Sequence, residues 1–214
     1  MDEYWENKYR EMETTLSFEP TDSAIQACDF FKNNGIQNIL IPGVGFGRNA
    51  KVFLDNGINV TGIEISETAI RLAKESILPD FPIHHGSVTQ MPFDNQRFDG
   101  IYCFALIHLL SRNERKKFIQ SCFNQLQPNG YMIFVVVSKK YGMYGTGRQL
   151  SANRFEIMKG LKVYFYDLDS AAKEFKDFGL IEAQEFDEPI KHIDNQPPLK
   201  CILVKCKQFD KLPK

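Results

Sequence analysis

The segment I-L-I-P-G-V-G-F-G-R-N, residues 39–49, sets Gly43, Gly45 and Gly47 at alternate positions between an apolar run and a helix-forming stretch. Glycine lets the main chain turn sharply and lets a ligand approach it closely. The first turn of the following helix adds free N–H groups. Glu64 lies 21 positions after Gly43, at the end of the next apolar run. A carboxylate there can accept hydrogen bonds from the two hydroxyls of a ribose. A Gly-rich turn alone is a weak signal, but joined to an acid at the end of the second strand it points to an adenosine-bearing ligand. The spacing departs from the G-x-G-x-x-G of a nicotinamide site. The third glycine comes one position early, and Arg48 occupies the place a dinucleotide site would need.

Other residue types could add chemistry. His108 follows the fourth strand, at the rim of the sheet where ligands bind. Its ordinary pKa near 6.5 suits proton removal at neutral pH. The alternative is packing against Leu106, Leu109 and Leu110. Tyr4, Trp5 and Tyr9 recur at helical spacing, as an aromatic face that docks on the body of the protein or closes over a ligand. The stretch K-K-Y-G-M-Y-G-T-G-R, residues 139–148, mixes bases, tyrosines and glycines. There Tyr141, Tyr144 and Arg148 are candidates to reach a substrate from a lid, or the segment is a surface loop. No metal site is expected. His84 and His85 are adjacent on a strand and face opposite ways, as do Cys201 and Cys206. Neither C-x-x-C nor H-E-x-x-H occurs.

The elements that must position these residues alternate between strand-like and helix-like segments. That pattern predicts a parallel sheet with helices on both faces. Helices are expected at Asp22 to Asn34, at Asn49 to Asp55, and after Ser66 with Ile70, Ala73 and Ile77 on one face. Another should open on a Ser111/Glu114 capping box, and a last one on Asp167. Strands are expected at Asn38 to Ile41, Asn59 to Ile63, Pro82 to His85, Phe98 to Cys103 and Tyr131 to Val137. Ile181 to Phe186 and Leu199 to Cys206, with no helix between them, should form an antiparallel pair. From Ser138 to Tyr166 the pattern breaks.

The chain has 214 residues, Lys+Arg 26 against Asp+Glu 27, and 43% hydrophobic residues. That composition is globular and fits one domain over residues 1–214. A net charge of -1 gives no footprint for non-specific nucleic-acid binding. The longest apolar stretch, Ile101 to Leu110, is too short for a membrane span. The polar start and five scattered cysteines lead to the expectation of a cytoplasmic protein without a disulfide framework.

The G-x-G-x-G spacing followed by G-I-E-I-S (62–66) resembles the class I S-adenosylmethionine-dependent methyltransferases. Three further segments share the resemblance: G-S-V-T-Q-M-P-F (86–93), R-F-D-G-I-Y-C-F-A-L-I-H-L-L (97–110) and L-Q-P-N-G-Y-M-I-F (126–134). The resemblance implies a Rossmann-like, doubly wound α/β fold in three layers. Its seven strands would run in the order 3-2-1-4-5-7-6, one of them antiparallel. It also implies S-adenosyl-L-methionine as cofactor and S-adenosyl-L-homocysteine as product. By motif position, Gly43, Val44, Gly45 and Gly47 would line the methionyl half, Glu64 the ribose, Ile65, Ser87 and Val88 the adenine, and Phe104 the sulfonium end. His108 becomes the candidate base. Trp5, Tyr9, Tyr144 and Arg148 become candidates for contact with a small-molecule acceptor. Residues 1–20 would form an arm, and 138–166 an insertion above the active edge. Two positions depart from the family: Ile41 stands where an acid is common, and Ser87 where an aspartate is. The P-G-x-G form is similar to thiol and thiopurine methyltransferases, and G-R-N to tellurite-resistance-type members. The alternatives are a non-catalytic binding or regulatory protein of this fold, or a nicotinamide-dependent reductase.

Overall fold

Five consecutive residues, Met132 to Val136, show why this chain folds in layers. In a strand, side chains alternate between faces. Met132, Phe134 and Val136 enter one apolar cluster, while Ile133 and Val135 enter another on the opposite face. A strand buried on both sides needs helices on both sides. The computed structural model describes residues 2–76, 82–92, 96–191 and 196–209, and it has this arrangement. Ile77 and Phe93, named above, lie outside the described residues.

The order of elements is α1 (Asp2–Met12), α2 (Asp22–Asn33), β1 (Asn38–Pro42), α3 (Arg48–Asp55), β2 (Asn59–Glu64), α4 (Glu67–Ser76), β3 (Ile83–His85), β4 (Phe98–Phe104), α5 (Arg112–Gln125), β5 (Leu126–Val137), β6 (Arg148–Ser151), β7 (Arg154–Met158), β8 (Leu161–Tyr164), α6 (Leu168–Phe175), β9 (Leu180–Glu188) and β10 (Leu199–Lys207). The main sheet runs β3-β2-β1-β4-β5-β10-β9. With β9 and β10 counted as its sixth and seventh strands, this is the expected 3-2-1-4-5-7-6 order. β10 runs antiparallel to both of its neighbours. Residues of α2 and α3, among them Phe31 and Phe53, cover one face. Phe118, Ile119 and Cys122 of α5, with Ala171 and Phe175 of α6, cover the other.

Several helix ends are specified by local chemistry. Ser111 and Glu114 form the expected capping box at the start of α5, and Asp167 and Ser170 form another at α6. At α2 the Glu188 carboxylate, from the end of β9, accepts from the N–H groups of Asp22 at 2.7 Å and Ser23 at 3.1 Å. That contact joins the first helix of the body to the last hairpin.

The segment after β5 is not a loop. β6, β7 and β8 form a separate three-stranded antiparallel sheet. Phe155 and Val163 pair across it and pack with Leu109, Val137 and Phe165. Its base closes on the main sheet through a bridge between Ser138 and Tyr166.

Candidate functional site

The turn after β1 is held against β2. The N–H groups of Gly43 and Val44 donate to the Ile63 carbonyl at 2.8 and 3.2 Å. Gly43 has φ +65 and Gly45 φ +58, a region that side chains with a Cβ rarely adopt. Space is also short at both. A Cβ on Gly43 would meet the Leu106 side chain at 3.1 Å, and one on Gly45 would meet the Tyr9 hydroxyl at 2.7 Å. The room beside Gly45, expected to belong to a ligand, is thus bordered by the arm's own tyrosine.

Glu64 ends β2 and is 6% exposed. One carboxylate oxygen accepts from Gly45 N–H at 2.9 Å. The other accepts from the N–H groups of Ile65 at 2.8 Å and Ser66 at 3.0 Å. Burial pushes this carboxyl above its usual range, and the three N–H groups oppose that shift. The acid therefore organises the glycine turn as well as facing the space above it.

That space is a cavity of about 350 Å³. Gly43, Val44, Gly45, Glu64, Ile65, Ser87, Val88 and Phe104 all line it, and so do Trp5 and Tyr9. Ile41, the position without an acid, lies in its wall. The Ser87 hydroxyl starts a short 3-10 turn, accepting from Thr89 N–H. Beyond β4 the chain bends at Ala105, which has φ +52. A non-glycine residue held there stores strain of the kind found at ligand-facing turns.

The arm packs on the body at three places. Tyr9 makes an edge contact with Phe46 of the glycine turn. Tyr4 lies against Gly160, where a Cβ would come within 3.2 Å of its ring. Between them, Glu6 caps α4: it accepts from the Thr68 hydroxyl at 2.6 Å, the Ser66 hydroxyl at 2.7 Å and Thr68 N–H at 3.2 Å. The Thr68 hydroxyl, then that of Ser66, pulls the Glu6 carboxyl down to about 2. A lowered carboxyl stabilises docking above its unfolded pKa, so this contribution is intact at neutral pH. It is lost as the pH falls from about 4.3 toward 2. Glu6→Ala is expected to free the arm at pH 7. Trp5 emission should shift to the red, and trypsin should cut faster after Lys8 and Arg10. Unchanged emission and cleavage would mean that the aromatic contacts hold the arm alone.

Four candidates are not brought to the cavity. Gly47 is the N-cap of α3, with φ +85, and does not line it. Tyr144 packs edge-on against Phe155 and Phe165 of the inserted sheet. Arg148 pairs with Glu156 on the outside of that sheet, at 2.5 Å. A loop would leave both side chains free to reach a substrate, whereas the ordered sheet engages Tyr144 with its aromatic rings and Arg148 with Glu156. His108 is 7% exposed, and its Nδ1 accepts from Val137 N–H at 3.3 Å. With that lone pair used, the proton sits on Nε2, and burial holds the imidazole down to about 3. It cannot act as a base near neutrality, so the packing alternative describes it. Cys103 is fully buried, and burial holds its thiol protonated.

Sequence reasoning missed residues that the fold adds. Met12, Thr15, Leu16 and Ser17 extend the wall from the arm. The Arg48 guanidinium lies 5.8 Å from the centre of the Phe104 ring. Glu114, read only as a cap, also lines the cavity. Only the arm has no signal beyond its aromatic spacing. Among the described residues, no cluster of His, Cys, Asp and Glu could hold a metal ion, and no helix is long and apolar enough to cross a membrane.

Residues 40–134 match the methyltransferase domain family. An uncharacterized methyltransferase of Oceanobacillus iheyensis is 27% identical over 161 residues, 68% of this chain and 75% of that protein. The ubiquinone biosynthesis O-methyltransferase of Coxiella burnetii is 26% identical over 111 residues, 50% of this chain and 47% of its own length. In fold, the chain is similar to the 1,6-didemethyltoxoflavin-N1-methyltransferase of Burkholderia thailandensis, solved with bound S-adenosylhomocysteine. The TM-score is 0.72 at 16% identity, over 98% of this chain and 87% of that one. The matched segment runs from within β1 to within β5 and holds the glycine turn and the acid after it, inside a sheet of the expected strand order. By that match, which spans less than half of the chain, and by that architecture, the chain is similar to methyltransferases in sequence over its glycine turn and central strands and in fold over nearly its whole length.

Proposed function

We propose that this protein transfers a methyl group from S-adenosylmethionine to a small-molecule acceptor. The observation that carries this is the convergence on one cavity of the Gly43–Gly45 turn, the buried Glu64 carboxylate and the Ser87–Val88 turn. The donor set fits such a cofactor. Close approach to main chain at the glycines suits the methionyl part, and an acid at the end of β2 suits the ribose. The apolar Ile65 and Val88 suit the adenine. Bound there, the cofactor supplies an electrophilic methyl group on a cationic sulfur.

The chain's own task is then to align the acceptor and exclude water, since alignment within about 3–3.5 Å can supply much of the rate. Proton removal has no evident agent. The Glu64 oxygens receive three backbone N–H groups. The hydroxyl and N–H of Ser111 hold Glu114 low, burial pushes the Tyr9 phenol up, and His108 lies outside the cavity. On this reading the acceptor presents an atom with a free lone pair at working pH, such as a thiolate or an unprotonated nitrogen.

The test is an acceptor screen over thiols, amines, phenols and metalloid oxyanions, with S-adenosylhomocysteine release as the readout. Release above the acceptor-free rate is expected from at least one class. No release from any class, in protein that binds S-adenosylhomocysteine, would favour the non-catalytic alternative.

A further inference from the structure

A second cavity, of about 430 Å³, adjoins the first. Trp5, Leu109 and Glu114 line both, so the two share a wall. The outer walls of the second are the N-terminal turn of α5 and the inserted sheet, with Leu150, Arg154 and Lys162. The segment is thus neither a mobile loop nor a flap carrying Tyr144. It is the far side of a compartment that begins where the first cavity ends.

Arg154 is under-used. The buried Nε of its guanidinium has no hydrogen-bond partner. Its one hydrogen bond among the described residues is a long one, 3.5 Å, from Nη2 to the Leu109 carbonyl. The contrast with the neighbouring Arg115 is informative. Arg115 is 4% exposed, donates to both Glu174 oxygens at 2.9 and 3.2 Å, and lies 3.9 Å from the centre of the Tyr164 ring. The Glu174 carboxylate is therefore spent on Arg115. Glu114, the only acid among the described residues that line the second cavity, attracts Arg154 through space but makes its hydrogen bond to Ser111 N–H, at 2.7 Å. Among the described residues, two cations and one acid line the cavity, a positive excess. A buried guanidinium donor without an acceptor is costly to keep, and the planar fork of arginine suits a carboxylate or a phosphate.

We propose that the second cavity is the acceptor site, and that Arg154 binds an anionic group, a carboxylate or a phosphate monoester, of the small molecule to be methylated. Lys162 adds positive charge at the rim, and Trp5 and Leu109 form the apolar passage toward the methyl donor. This rests on the methyl-transfer reading for the direction in which the reacting atom points. The anion preference itself does not depend on turnover.

The experiment loads the full chain with S-adenosylhomocysteine, checked by calorimetry. It then follows Trp5, the single tryptophan, by fluorescence while benzoate, phenyl phosphate or neutral benzamide is added. At least one of the two anions is expected to bind tenfold or more tighter than benzamide, and the stronger anion names the group. Arg154→Gln should abolish that preference and leave S-adenosylhomocysteine affinity unchanged. Leu150→Asp adds a carboxylate to the same cavity at an exposed position. It should weaken the anions alone, and it serves if the arginine variant fails to fold. Equal binding of all three probes, silence from all three, or a preference that survives both variants would overturn the proposal. Failure of the unmodified protein to bind S-adenosylhomocysteine would instead overturn the methyl-transfer reading.

Discussion

Replacing Glu64 by Gln is expected to weaken S-adenosylhomocysteine binding by roughly 30-fold or more, about 2 kcal/mol. The side chain keeps its shape but loses one acceptor. In the native turn both oxygens are engaged, one by Gly45 N–H and the other by Ile65 and Ser66 N–H. An amide must turn its NH₂ toward one of these sets, donor facing donor. Either the glycine turn loses its tie to β2 or the first residues after β2 lose theirs. A ribose approaching the same group would also find one acceptor fewer. Because a buried N–H is left unpaired, folding stability should fall as well, by about 1–3 kcal/mol. Calorimetry and urea denaturation separate the two effects. Native affinity in the variant would remove the acid from the binding account.

The second large effect concerns pH. His108 is neutral in the folded protein down to about pH 3, whereas an unfolded chain protonates it near pH 6.5. Below that value the unfolded state binds a proton that the folded state refuses. Stability attributable to this site therefore falls as the pH drops from about 6.5 toward 3, by about 1.4 kcal/mol per pH unit at most, and the site contributes no pH dependence above 6.5. His108→Gln keeps an oxygen able to accept from Val137 N–H but cannot be charged. The stability difference between the two proteins should grow in favour of the glutamine variant as the pH falls from 6.5 to 4.5. Parallel curves would show that the imidazole is protonated in the folded state. Turnover by the variant should stay within a few-fold of the unmodified protein at pH 7.5, since no proton passes through this group.

What could be read in advance follows from how local each signal is. The glycine turn and Glu64 were legible because each is a short motif tied to one strand end. The strand order followed from apolar runs that must be buried on two faces, as Met132 to Val136 are. The Ser111/Glu114 box was legible because both partners lie within one turn of helix. The Glu6 clamp was not, because its partners Ser66 and Thr68 lie 60 and 62 positions away and three-dimensional packing alone brings them together. His108 was ambiguous because its direction depends on the left-handed bend at Ala105. The inserted sheet does carry a signal in the sequence. Phe155, Ile157, Val163 and Phe165 alternate with polar or exposed positions, and Lys159-Gly160 sits between two runs as a hairpin turn does.

The central claim is that the turn at Gly43 to Gly45, with Glu64, binds the adenosine and methionyl parts of S-adenosylmethionine. Calorimetric titration of the unmodified protein with S-adenosylhomocysteine, and separately with NADH, addresses it most directly. Saturable one-to-one heat from the first and none from the second is the predicted result. Heat from NADH alone, or from neither, would contradict it.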